Sequence, residues 1–318
     1  MREWGARAGA AACFAAVILT AALSRAGGEG TLSPGQGEFV FTDWEGNRDK
    51  PLAVWYYLPA NLAPAARIVF VLHGSKREAD IYLKPWVQYA RRDRFLVLCP
   101  QFSEQFYPGQ VGYHFGNVTD ASGKRIDKDR WGFSAIEHLF DFVRATTGLT
   151  TPAYDIYGHS AGAQFVHRMV ELCPDARFDR AVAANAGAYL MPSYARKFPY
   201  GLDGAGVPPE QLGQAMGRNL IILLGMRDTQ SLHNWLPWQW RIRGQGHDRL
   251  ERGLRFFAEA DVASDVLAVP LRWRVVTVPD VGHSHAGMTP AAVRVLETGG
   301  GPSPVAGKAQ SRTGGANG

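Results

Sequence analysis

Cysteine is scarce in this sequence: Cys13, Cys99 and Cys173 among 318 residues. Cys13 lies in an N-terminal apolar stretch with no lipobox ahead of it, so no lipoprotein signal is read. Cys99 closes the β-prone run Phe95-Leu-Val-Leu-Cys at a strand's carboxyl end, while Cys173 lies well down a helix that starts at the same edge. About 13 helical residues at 1.5 Å each separate them by roughly 20 Å, against the roughly 7 Å that a bridge allows. Two buried thiols are expected. Runs of one charge are missing too. Lys and Arg number 34 against 29 Asp and Glu, a formal +5 with an isoelectric point near 9.1. No five like charges stand together, and Arg91-Arg92-Asp93-Arg94 reads as a solvated helix end, so nothing points to nucleic acid. No internal repeat and no interdomain linker appear, which predicts a single domain over 27–298. The chain has no His-Glu-x-x-His pattern and no third ligand beside His283 and His285, so no metal is expected.

One apolar run stands out, Ala8 to Leu23, preceded by Arg2 and Arg7 and followed by Ser24-Arg25-Ala26. A positive start, a short apolar stretch and a small-x-small site describe a secretory signal peptide over 1–26, cleaved after Ala26. Such a run, about sixteen residues, is short for a bilayer span of about twenty. The expectation is a secreted or periplasmic protein with no membrane span after cleavage; an uncleaved N-terminal anchor is the alternative. The stretch 299–318 is rich in Gly, Ser, Pro and Ala without apolar periodicity and reads as a disordered tail.

Between these ends, strand and helix signals alternate. An antiparallel start, Glu38 to Trp44 and Leu52 to Leu58, precedes Ala66-Arg-Ile-Val-Phe-Val-Leu-His-Gly, a run suited to burial on both faces of a parallel sheet. A helix over Ala79 to Arg92, a strand over Phe95 to Cys99 and an irregular aromatic stretch, Gln101 to Arg130, follow. Phe133, Ile136, Leu139, Phe140 and Val143 then recur at helical spacing within Gly132 to Thr146. Next come strand Tyr154 to Tyr157, helix Ala163 to Leu172, strand Arg180 to Ala184 and a Pro- and Tyr-rich excursion, Gly187 to Gly217. Strand Asn219 to Leu224, a Trp-rich loop, a helix near His247 to Ala263, strand Leu271 to Val278 and helix Pro290 to Glu297 complete the chain. The alternation predicts an α/β fold, an open, mostly parallel sheet with helices on both faces and short aromatic insertions at its rim.

The stretch Gly158-His-Ser-Ala-Gly162 sits between a strand and a helix, the context of a nucleophile elbow. A serine at so sharp a turn holds its hydroxyl clear of the sheet. Positions two away on either side must be small, a need that Gly158 and Gly162 meet. The following helix aims its free N–H groups at the same spot. Functional groups of open α/β sheets collect past the carboxyl ends of strands. Asp228 lies just past the strand ending at Leu224, and His283 just past the strand ending at Val278. The chain order Ser160, Asp228, His283 is the order serine, acid, histidine of the α/β-hydrolase plan. His285 competes with His283, and Asp280 with Asp228; His283 is preferred because Gly282 lets its loop fold back, and Asp280 is too near the histidine in sequence to orient it easily. Oxyanion donors are expected at the backbone N–H groups of Ala161 and of Ser75, in the turn after Leu72-His73-Gly74.

Through His73-Gly74, Gly158-His-Ser-Ala-Gly162, Asp228 and Gly282-His283, the chain resembles the α/β-hydrolases over about 40–297. Leu72-His-Gly, Gln245-Gly with Arg249, and Val278-Pro-Asp-Val-Gly-His-Ser make it most similar to secreted esterases of the polyhydroxybutyrate depolymerase and feruloyl esterase type. It departs from those depolymerases in having Ser75 where they carry a cysteine, and in lacking a recognisable substrate-binding domain. The resemblance implies a triad of Ser160, Asp228 and His283, a small or oligomeric ester substrate and no cofactor. Tyr189, Trp235 and Trp238 have two readings: walls of a pocket for an acyl, aryl or sugar group, or packing of the long loops that carry them. A serine peptidase or amidase, or an acyltransferase, would use the same triad. A catalytically silent hydrolase-fold binding protein would have no need of it. The sequence carries no signal for oligomeric state.

Overall fold

The computed structural model describes residues 28–29, 32–230 and 242–298. The expected signal peptide (1–26), the tail (299–318), Trp235 and Trp238 lie outside the described residues. The chain falls into two compact units, Met1–Phe70 with Arg77–Tyr154, and Val71–Lys76 with Asp155–Gly318.

In the first unit β1 (Gly28–Glu29) pairs antiparallel with β2 (Gly35–Phe41), and β2 with β3 (Leu52–Leu58). Residue burial in β2 swings between exposed and buried toward its end, as expected of a strand with one wet face. The strand β4 (Ile68–Leu72) is buried throughout and runs parallel to β5 (Leu96–Gln101), which in turn pairs antiparallel with β3. Helix α1 (Ala79–Asp93) lays Tyr82, Leu83, Trp86 and Ala90 inward against β3 and β5. It stops at Arg94, whose left-handed φ of 52° lets its N–H reach Ala90 O. Helix α2 (Gly132–Thr147) buries the apolar stripe read from the sequence, and Phe142 meets Phe39 and Phe41 with ring centroids 5.5 Å away in each case.

The second unit holds most of β6 (Tyr154–His159) and the strands β7 (Phe178–Ala184), β8 (Leu220–Gly225) and β9 (Arg274–Val278). Strand β8 pairs in parallel with both β7 and β9. The pairings are thus antiparallel near the amino terminus and parallel later on, the mostly parallel sheet with helices that the alternation predicts. Helix α3 (Ala161–Leu172) packs on β7, α5 (Arg249–Leu267) on β8 and β9, and α6 (His285–Thr298) on β7 and β8. Helix α4 (Pro209–Met216) was not anticipated in the excursion, although Pro209 at its first position is a helix-start signal. The last helix begins at His285, with Pro290 inside it rather than at its start. Cys99 and Cys173 are free and buried.

Helix α3 is buried on every side, and three ionisable groups go with it: His167, Arg168 and Glu171, each fully buried. Arg168 donates to the Gln164 and Pro199 carbonyls and to His167 Nε2, and burial lowers its pKa to about 10. Glu171 has no hydrogen-bond partner on either carboxylate oxygen among the described residues. Burial pushes its pKa well above the usual carboxylate range, against a weaker pull from Arg168. A carboxyl whose folded pKa is raised contributes its full stability below the unfolded value of about 4.3 and loses it as pH climbs toward the folded value. Glu171→Gln is therefore expected to raise the melting temperature by a few degrees at pH 8 and by less at pH 4, measured by thermal unfolding at both. An equal or opposite change at the two pH values would contradict it.

Candidate active site

Strand β6 ends in Gly158-His159, and Ser160 then turns the chain at φ 57°, ψ −109°, a conformation that costs a non-glycine residue of order 1–3 kcal/mol. Two features hold it there. Ser160 N donates to Ala184 O at 2.9 Å, and α3 opens at once with Ala161. A Cβ on Gly158 would lie 2.1 Å from Gly162 O, and one on Gly162 would lie 2.4 Å from Leu72 O. The glycine spacing is thus steric.

His283 brings the three expected side chains into one hydrogen-bonded row. Its Nε2 is 3.0 Å from Ser160 Oγ and its Nδ1 is 2.7 Å from Asp228 Oδ2. An ionised carboxylate only accepts, so Nδ1 carries the proton and Nε2 faces the serine as an acceptor. Asp228 is 1% exposed, and its other oxygen accepts from Arg249 Nη1 at 3.1 Å. Both oxygens of the buried acid are thereby engaged, which a buried charge requires. Ser160 is half-buried and His283 exposed, so the reacting end of the row meets solvent.

The loops that present these side chains are tied to each other. Arg227 N donates to Val281 O at 2.9 Å and Met226 N to Val278 O at 3.0 Å, joining the acid loop to the histidine loop. Asn185, at the end of β7 with φ 51°, spans both: its Oδ1 accepts from Gly225 N at 2.8 Å and its Nδ2 donates to Gly282 O at 3.1 Å. His159 lies beneath the row, buried, with its ring centroid 4.7 Å from that of His283. Burial holds its pKa well below the imidazole value, and the nearby His283, His285 and Arg249 lower it further. A neutral ring in that place adds no like charge when His283 takes a proton.

The rival residues are otherwise engaged. Asp280 pairs with Arg227 at the surface, and His285 starts α6 beside His159, with ring centroids 6.4 Å apart. Ala161 opens α3, where N–H groups have no partner inside the helix. Ser75 lies exposed in the turn after β4, and the close approach of Gly162 to Leu72 O and His73 O brings the start of α3 against that strand end. Tyr189 takes the packing alternative. It is fully buried, stacked on Phe256 at 4.5 Å, and clasped by Gln245, which accepts from Tyr189 N and donates to Tyr189 O. Its ring faces the core because stacking there removes far more apolar surface from water than a rim position does, so it walls no open pocket. Sequence reasoning assigned no role to Arg249, Asn185 or His159; Arg249 and His159 had entered it only within the stretches that carry the family likeness.

Among solved structures, the chain is similar to poly(aspartic acid) hydrolase-1 from Sphingomonas sp. KT-1, with 43% identity, a TM-score of 0.80, and coverage of 84% of this chain and 100% of that one. It is also similar to LpqC, a poly(3-hydroxybutyrate) depolymerase from Bordetella parapertussis, with 29% identity, a TM-score of 0.79, and coverage of 86% and 92%. A fluorophosphonate-binding serine hydrolase of Staphylococcus aureus, FphF, shares the fold at 14% identity and a TM-score of 0.53, with coverage of 83% and 98%. No family model matches the chain, and no curated protein matches it.

Proposed function

Because the chain belongs to the α/β-hydrolase superfamily, we propose that it is a serine hydrolase that cleaves carboxylic acyl bonds through Ser160, His283 and Asp228. The observation that carries this reading is the continuous row from Ser160 Oγ through His283 to Asp228. His283 Nε2 takes the hydroxyl proton as Ser160 Oγ bonds to the substrate carbonyl carbon. The carbonyl electron pair moves onto oxygen, and Asp228 stabilises the imidazolium. The N–H groups of Ala161 and Ser75 would receive the oxyanion, each donor contributing about 3 kcal/mol. Collapse of this intermediate expels the alcohol or amine, which takes the proton from His283. Water, deprotonated by His283, then attacks the acyl-enzyme and releases the acid and free Ser160. No cofactor enters.

The arrangement serves esters and amides alike, and the relatives divide on the bond. The ester reading is supported by the polyester depolymerase. Amide hydrolysis in a polycarboxylate chain is supported by the relative of higher identity, whose name gives poly(aspartic acid) as its substrate. Export by a signal peptide over 1–26 would accord with either, since a polymer too large to enter the cell is met outside it. The test is labelling by a fluorophosphonate probe, followed by rates on p-nitrophenyl acetate and on poly(aspartic acid). Labelling with hydrolysis of at least one substrate is expected; cleavage of poly(aspartic acid) supports the amide reading, and cleavage of p-nitrophenyl acetate alone supports the ester reading. A folded protein that neither labels nor hydrolyses either substrate would overturn the reading, leaving a binding protein of hydrolase fold.

A further inference from the structure

The amino-terminal ends of β7, β8 and β9, the ends away from Ser160, gather positive charge. Ala181 pairs with Leu220, and Ile221 with Arg274. Carried back along the strands, that register sets Arg180 beside Asn219 and Asn219 beside Arg272. Alternation along β9 then returns Arg274 to the same face as Arg272. Arg180, Asn219, Leu271, Arg272 and Arg274 line one cavity of about 410 Å³. Three arginines therefore line one pocket without crossing from one unit to the other.

The neighbouring carboxylates are uneven in their distribution. Asp155 and Asp179 both stand on the Arg180 side, 3.7 and 3.2 Å from Arg180 Nη1. Among the described residues none forms an ion pair with Arg272, whose backbone N–H alone is tied down, to Met216 O. Burial lowers the pKa of Arg274, and the charges of Arg272 and Arg180 lower it further, so Arg274 stands close enough to both to feel their charge. Asn219 adds an amide between them, its Nδ2 donating to Asp179 O. Like charges held together at a concave polar site are relieved by an anion, and the guanidinium fork matches the oxygens of phosphate and carboxylate in pairs.

We propose that this pocket is a binding site for a multiply charged oxyanion, of phosphate or clustered-carboxylate chemistry, held by Arg180, Arg272 and Arg274 and separate from the hydrolytic site. Strands of five to seven residues lie between the pocket and the carboxyl ends, about 20 Å at 3.3 Å per residue, so occupancy leaves the Ser160 row untouched. The proposal does not depend on the bond that the enzyme cleaves.

The test is titration calorimetry of the full chain with inorganic phosphate, ionic strength being held constant with sodium chloride. One saturable phosphate site per chain is expected. Arg272→Gln should weaken it by at least about tenfold, the loss of one charge-assisted pair, while Arg272→Lys, which keeps the charge but not the fork, should fall between. Hydrolysis of the neutral p-nitrophenyl acetate should be the same in all three proteins, which also reports their folding. A second titration with poly(aspartic acid) on the Ser160→Ala background separates the sources. Binding that is lost with Arg272 makes the pocket an outlying hold for a polyanion; phosphate binding alone makes it a small-anion site. Absence of a saturable phosphate site, or equal affinity in Arg272→Gln, would overturn the proposal.

Discussion

Ser160→Ala is expected to lower kcat by a factor on the order of 10⁶ and to abolish fluorophosphonate labelling, with a melting temperature close to that of the parent. The size follows from the row in which Ser160 stands. Without Oγ, His283 Nε2 has no proton to take and no acyl-enzyme forms, so only the oxyanion donors and substrate binding remain. The fold should tolerate the change, because Ala also fits the tight turn and Ser160's structural bonds are made by its backbone: its N to Ala184 O, and its O to Gln164 N. A loss of less than about a hundredfold, with labelling retained elsewhere, would move the nucleophile to another residue.

Asp228→Asn is expected to cost about 10⁴ in kcat at neutral pH, nearly all of it through the tautomer of His283. Asp228 accepts two hydrogen bonds, one from Arg249 Nη1 and one from His283 Nδ1. Asparagine offers one oxygen and one NH2 group. Arg249 can only donate and holds the oxygen, so the NH2 group faces His283 and turns Nδ1 into an acceptor. The imidazole proton then sits on Nε2, aimed at Ser160 Oγ, and the base is blocked. Measuring kcat for Asp228→Asn alone and combined with Arg249→Gln checks the argument. The second substitution frees the amide to rotate and should return part of the lost rate. If it returns none while the protein stays folded, Arg249 does not set the orientation.

The elbow and the three residues of the row could be read from the chain because each is fixed by local chemistry. Gly158 and Gly162 are demanded by backbone approaches of 2.1 and 2.4 Å, and Asp228 and His283 each follow closely on an apolar strand run. The supports were not legible for the opposite reason. Arg249 meets Asp228 across an intervening Trp-rich segment, and Asn185 is a single polar residue after a strand; neither spacing marks a contact. The sequence left Tyr189 open between wall and packing because an irregular stretch has no periodicity to tell inward from outward. Its place is set by Phe256, 67 positions later in the chain. In the sequence Glu171 is a single carboxyl on a helix, and only the burial of all of α3 gives it a cost.

Asn185 makes a single mechanical part of two loops, since one amide grips Gly225 and Gly282 together. Lengthening or shortening either loop would drag its neighbour and misalign acid and base at once. Descendants of this chain are therefore free to change what they digest only by altering segments outside that strap. The proton-handling geometry would pass through such change intact, so new appetites come at little risk to the chemistry.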